Sequence, residues 1–117
     1  MPYTIRKQFH FSAAHHLTGL PVGHPCARPH GHNYLVTFEL ATAALDATGF
    51  VRDYGDLDPV KRWLDANLDH RDLNDRYAQP SAELLARELF DRFAPDLREL
   101  VAVAVCETPA TWAEFRP

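Results

Sequence analysis

Residues 3–15 read YTIRKQFHFSAAH. Tyr3, Ile5, Phe9, Phe11, Ala13 and His15 share one phase of a two-residue period, and Thr4, Arg6, Gln8, His10 and Ser12 share the other. Alternation of this kind predicts a strand with one face on a core and one toward water. Lys7 is the one break in the apolar phase. The apolar series ends on a histidine, so a face that is otherwise core-like presents an imidazole at its far end.

Outward from that strand, residues 17–29 hold two glycines and three prolines and predict a loop. Residues 32–42, HNYLVTFELAT, alternate again: Tyr34, Val36, Phe38 and Leu40 against Asn33, Leu35, Thr37 and Glu39. His30 and His32 continue the first of these phases. Thr48-Gly49 marks a turn. A helix is predicted over 58–68, with Asp56 or Asp58 as its cap, Pro59 in its first turn, and Val60, Trp63, Leu64 and Leu68 on one stripe. A second helix starts at the cap Ser81, carries Glu83 in its first turn and is closed by Pro95. Residues 100–107, LVAVAVCE, are apolar on both phases and predict a central strand. TWAEFR, after the turn at Thr108-Pro109, predicts a short last strand. Strand, strand, helix, helix, strand, strand defines an α+β domain in which two helices cover an antiparallel sheet.

The chain has 117 residues, 46% of them hydrophobic, which suits one domain over 1–117 with a modest core. A domain of this size gains from oligomerisation, because it buries a smaller share of its surface than a large one. A formal charge of −4 argues against a nucleic-acid partner or a membrane surface, both of which favour a basic excess. No apolar run is long enough to cross a bilayer and none follows a basic start, so the expected location is the cytoplasm. Two cysteines, Cys26 and Cys106, are too few for a disulfide framework. Histidine is the unusual residue: seven occur, four of them from His15 to His30.

On a strand, positions i and i+2 point the same way, so His30 and His32 aim two imidazoles at one point, with Gly31 leaving the backbone free to approach. Neutral imidazoles suit zinc, which needs a third ligand and, for catalysis, an open fourth position. His15 and His16 both stand at the end of the first strand. Phase favours His15; a β-bulge would exchange them. His10, on the polar phase, and His24, in the loop, are given no role. Cys26 could be a fourth ligand that closes the site, an apolar filler, or a nucleophile or base whose thiolate is stabilised near Arg28 and a cation. Cys106 reads as core filler. Asp69 adjoins His70 just after the first helix; a carboxylate holds an imidazole's tautomer and raises its basicity, but a histidine there also suits a helix end. Glu107 ends the most apolar strand, where a carboxylate is costly unless it is paired or receives a multi-donor ligand.

FSAAH (11–15), CARPHGHNY (26–34), DYGDL (53–57), LDHRDLND (68–75), PSAELLA (80–86) and CETP (106–109) occur in this order across nearly the whole chain. Together they resemble the 6-pyruvoyltetrahydropterin synthase family, and more closely its bacterial 6-carboxytetrahydropterin synthase branch in the queuosine pathway. The three-residue gap between Cys26 and His30 is similar to the carboxy branch; the pyruvoyl branch has a longer gap. Pro80-Ser81 stands where the family has Pro-Thr, and the tail TPATWAEF also occurs outside the queuosine branch.

The resemblance implies a tunnelling fold: a four-stranded antiparallel sheet with two helices on one face, joined between subunits into a barrel. It implies a homohexamer of two stacked trimers with active sites shared between subunits. It makes His15, His30 and His32 the ligands of Zn2+, Cys26 the catalytic thiol, Asp69 and His70 the proton-relay pair, and Glu107 the anchor of the pterin's amino-pyrimidine edge. The implied reaction is that of a lyase, converting 7,8-dihydroneopterin triphosphate to 6-carboxy-5,6,7,8-tetrahydropterin with release of acetaldehyde and triphosphate. The competing expectations are triphosphate elimination alone, giving a pyruvoylpterin; aldolase-type cleavage of dihydroneopterin; a zinc- or pterin-binding module without turnover; and a structural zinc site closed by Cys26.

Overall fold

The computed structural model describes residues 1–117. Strand β1 spans Tyr3–His15 and β2 spans His30–Thr42. Helix α1 spans Asp58–Asn67, β3 is the pair Arg71–Asp72, and α2 spans Ala82–Phe93. β4 covers Leu100–Thr108 and β5 covers Thr111–Phe115.

The strands form one sheet in the order β3-β1-β2-β4-β5. β1–β2, β2–β4 and β4–β5 are antiparallel, as expected, but β3 runs parallel to β1 at the sheet's edge. The sheet is therefore five-stranded and mixed, not four-stranded and antiparallel. The extra strand arises because the chain leaving α1 is fastened to the outer side of β1. The Ser12 amide donates to Asp69 Oδ1 at 2.8 Å, and the His70 amide donates to the Ser12 carbonyl at 2.6 Å. Two residues then continue the ladder opposite Ala13 and Ala14.

Both helices lie on one face. Phe9, Phe11, Ala13, Tyr34, Val36, Phe38, Leu40, Val103 and Val105 form a single buried cluster with Val60, Leu64 and Leu68 of the first helical segment and Leu85, Ala86, Leu89 and Phe93 of α2. Phe9 meets Phe38 edge-on at 5.6 Å, and Phe11 stacks on Tyr34 at 4.7 Å. Burying one such side chain is worth about 1.5–3 kcal/mol, so this cluster is what holds the strand ends in place. Lys7, the break in phase, extends its amine to the Tyr54 carbonyl at 3.3 Å, so its stem lies on the core while its charge leaves it.

Ser81 caps α2, accepting from the Leu84 amide, as its position predicts. α1 is capped differently from expectation. Neither Asp56 nor Asp58 caps it; Asp53 caps a 3-10 turn, Tyr54–Leu57, that leads straight into the helix. Cys106 is also not core filler. Val103 and Val105 take the helix-facing phase of β4, which turns Cys106 to the open face, where it is partly exposed. The same open face buries one charge. Glu39 is only 8% exposed and is bound by Arg6 at 2.9 Å and Arg116 at 2.7 Å.

Candidate metal centre and acid–base dyad

The β1–β2 ladder is unbroken from Tyr3 opposite Thr42 to His15 opposite His30. No bulge intervenes, so His15 keeps the core phase and His16 does not. The His16 amide instead takes the Asn74 side-chain oxygen at 2.8 Å. The i, i+2 rule then sets His32 diagonal to His15 on the same face. The three rings come together: centroids are 4.5 Å apart for His15 and His30, 5.1 Å for His15 and His32, and 4.8 Å for His30 and His32, each pair steeply inclined. Space does not demand glycine between the last two. A Cβ at Gly31 would meet only the Ala13 carbonyl at 3.6 Å, an ordinary contact.

Hydrogen bonds fix two tautomers. His15 Nδ1 lies 2.7 Å from the Pro80 carbonyl and His30 Nδ1 lies 2.7 Å from the Arg28 carbonyl. A carbonyl only accepts, so both Nδ1 atoms carry protons and, in the neutral ring, leave Nε2 as a lone pair. Burial, opposed by Glu107 and reinforced by His15 and His30, holds the pKa of His32 below the ordinary imidazole value, which favours its neutral form as well. Glu107 completes the group. It follows Val103 and Val105 in phase and brings Oε2 to 3.0 Å from His32 Nε2 and 3.3 Å from His15 Nε2. One ligand atom from each of His15, His30, His32 and Glu107 lies within 4.8 Å of all the others. The Nε2 atoms of His15 and His32 are buried and have no hydrogen-bond partner. Orphaned lone pairs converging beside a carboxylate are the donor set of a divalent cation, so the residues fit a metal.

Cys26 lies outside this group. It sits in the 3-10 turn Pro25–Ala27 of the loop between β1 and β2, half-buried, with its carbonyl held by the Leu17 amide at 2.8 Å. It therefore leaves the centre open to other ligands.

Asp69 and His70 pair as the sequence suggests, with Oδ2 and Nδ1 2.9 Å apart. The Ser12 amide, then His70, holds the Asp69 carboxyl below the usual carboxylate range. His70 adopts φ 58°, the only non-glycine residue with positive φ. That left-handed turn ends the α1 region and would suit glycine better; the His70 side chain is 83% exposed there. The dyad stands at the outer edge of β1 and is not among the groups gathered around the three histidines.

That Glu107 neighbours the histidines was not evident from sequence, whereas Tyr34 lies beneath them as the shared phase of His30, His32 and Tyr34 predicts. Tyr34 is fully buried, with ring centroids 6.0 Å from His15 and 5.5 Å from His32, and its hydroxyl has no partner. Burial, then Glu107, pushes its phenol well above the ordinary value.

Fold and site define an α+β protein with a three-histidine, one-carboxylate centre at the end of its first two strands. The sequence model of the family described as 6-pyruvoyl tetrahydropterin synthase matches residues 4–117. The chain belongs to that family. It is 34% identical to the 6-carboxy-5,6,7,8-tetrahydropterin synthase of Bacillus subtilis (strain 168), over 99% of this chain and 88% of that one. Among solved structures it resembles Caenorhabditis elegans 6-pyruvoyl tetrahydropterin synthase, with TM-score 0.85 and 25% identity, covering 98% of this chain and 95% of that one. It also resembles an uncharacterized protein of Wolinella succinogenes, with TM-score 0.87 and 20% identity, covering 97% of each; at that identity the likeness concerns the fold alone. No helix is long and apolar enough to cross a membrane.

Proposed function

We propose that this chain is a zinc-dependent lyase that converts 7,8-dihydroneopterin triphosphate to 6-carboxy-5,6,7,8-tetrahydropterin, acetaldehyde and triphosphate, in 7-deazapurine (queuosine) biosynthesis in the cytoplasm. The observation that carries it is the convergence of His15, His30 and His32 on one point, with Cys26 left free. The identity to a relative named for the carboxy product, along the whole chain, and the short interval from Cys26 to His30 favour that product over the pyruvoyl one.

His15, His30 and His32 would hold the zinc ion, which supplies Lewis-acid polarisation of side-chain hydroxyls. Cys26 serves as general base, taking a proton from a side-chain carbon of the substrate. His70, oriented through Nδ1 by Asp69, moves the second proton with its outward-facing nitrogen. Loss of a carbon-bound proton lets the adjacent C–O bond break, and triphosphate departs with the electron pair. Cleavage of the remaining side chain leaves the carboxylate on the ring carbon and releases acetaldehyde; the oxygen count requires one water. A groove of about 340 Å³ beside Glu107, bounded by Ala82, Val105, Thr111 and Ala113, suits the ring, with the Glu107 carboxylate accepting from its amino-pyrimidine edge.

In the proposed assembly, a second copy brings its Asp69–His70 dyad to the histidine centre of the first. Residues 1–117 act as one tunnelling-fold domain, six copies forming two stacked trimers whose sheets join into a barrel. Light scattering that returned a monomer with full turnover would refute that assembly.

The test is mass spectrometry of the products formed from dihydroneopterin triphosphate by zinc-loaded protein. Acetaldehyde with a carboxypterin is expected. A pyruvoylpterin would reassign the chain to elimination alone, the activity named for the C. elegans structural neighbour. Glycolaldehyde would indicate an aldolase, and no product would leave a binding module.

A further inference from the structure

We infer that Glu107 is a displaceable fourth ligand of the metal centre, bound to the cation while the site is empty of substrate and exchanged for a substrate hydroxyl when the site fills. This rests on the proposed metal centre and adds to it a second position for the ring-anchoring carboxylate.

The geometry around Oε2 is the basis. It stands 3.0 Å from His32 Nε2 and 3.3 Å from His15 Nε2, yet neither nitrogen has a hydrogen-bond partner. The contacts are close without being aligned. For His15 the reason is explicit: its proton is spent on the Pro80 carbonyl, and the ring is 1% exposed, so a neutral ring turns a bare lone pair on the carboxylate. Lone pair against anion at 3.3 Å is repulsive, and water is excluded from the His15 side. A cation between them converts every one of these contacts into an attraction. His32 Nε2 is likewise buried without a hydrogen-bond partner, 3.0 Å from the same carboxylate oxygen. Three imidazoles and one carboxylate oxygen lie within 4.8 Å of one another, which is the number and kind of donors a four-coordinate zinc site would use.

Glu107 also differs from the histidines in its support. His15 and His30 are locked through Nδ1 to backbone carbonyls. No hydrogen bond restrains the Glu107 carboxylate, which is about a quarter exposed and also lines the 340 Å³ groove on its other side. A side chain free on one side and bound on the other is the member of the set that can leave. Cys26, outside the group, is not needed to close it.

The test is titration of the metal-free full-length protein with Co2+, followed by visible absorption and by competition with a chromophoric chelator. The wild type, Glu107→Ala and the near-isosteric Glu107→Gln are compared, with circular dichroism confirming that each is folded. Expected are one Co2+ per chain in the wild type, affinity weakened by about tenfold or more in both variants, and a changed ligand-field spectrum as solvent replaces a carboxylate oxygen. Adding 7,8-dihydroneopterin should shift the wild-type spectrum and leave that of Glu107→Ala less altered. Equal affinities and spectra in all three proteins would overturn the inference while leaving the centre intact. A wild-type spectrum indifferent to dihydroneopterin would overturn the displacement and make the carboxylate a fixed ligand. No Co2+ uptake by the wild type would refute the metal centre itself, and this inference with it.

Discussion

His15 and His30 are direct register partners at the closing rung of the β1–β2 ladder, with ring centroids 4.5 Å apart, and each places Nδ1 2.7 Å from a backbone carbonyl. The two carbonyls belong to Pro80, just before α2, and to Arg28, in the β1–β2 loop. One tautomer is thus imposed on both rings by parts of the chain far apart in sequence. A metal entering this centre meets nitrogens that are already oriented, so little ordering remains to oppose binding.

Removing one ring should therefore empty the centre without unfolding the sheet. His32→Ala is expected to reduce bound metal, measured by atomic emission on protein purified without chelator, from one per chain to a trace. His32 is the ring to choose, because His15 is fully buried and its loss would also strand the Pro80 carbonyl. A folded His32→Ala protein that kept stoichiometric metal would place the ion elsewhere.

Cys26 is expected to behave in the opposite way. Cys26→Ala should retain metal and assembly and lower kcat about 10²–10⁴-fold, the usual contribution of a positioned acid or base. Steady-state turnover and metal content are measured on the same preparation. Loss of metal in this variant would make the thiol a ligand and the centre a closed one.

The histidine cluster was legible because strand phase is binary: with no bulge in β1, the alternation from Tyr3 to His15 decides between His15 and His16. Both helices followed from their apolar stripes for the same kind of reason. What stayed hidden lacked a periodic signal. β3 is two residues long and depends on Asp69 gripping the Ser12 amide. β4 is apolar on both phases, so the orientations of Cys106 and Glu107 were undetermined until packing put Val103 and Val105 inward. Glu39 looked like an ordinary residue of the open face; its burial depends on Arg116, seventy-seven residues further on.

That Glu39 cluster makes stability acid-sensitive. Arg116, chiefly by hydrogen bonding, with Arg6 adding to it, holds the Glu39 carboxyl below its ordinary value against the opposing effect of burial. A depressed folded-state pKa contributes stability that is fully present above the unfolded glutamate value, about 4.3, and is lost as pH falls through the lower folded value. Glu39→Gln should cost about 1–2 kcal/mol at pH 7, between an exposed ion pair and a buried charged hydrogen bond. Its denaturation midpoint should fall less steeply than the wild type's below pH 4. Parallel curves for the two proteins, by urea denaturation across pH, would show that the cluster carries no such linkage.

Tyr34 offers the sharpest stability test near the centre. Its ring is fully buried and stacked on Phe11, and its hydroxyl has no partner. A buried hydroxyl left unpaired costs about 1–3 kcal/mol, whereas the ring alone supplies the packing against Phe11, His15 and His32. Tyr34→Phe keeps the ring and deletes the unpaired oxygen, so the metal-free protein should gain about 1 kcal/mol, seen as a rise of roughly 4 °C in Tm. A hydroxyl that instead binds an ordered water between the phenol and Glu107 would give the reverse sign, because deletion would then break a hydrogen bond and strand its partner. The direction of the Tm change in metal-free protein therefore tells whether the floor of the centre is dry.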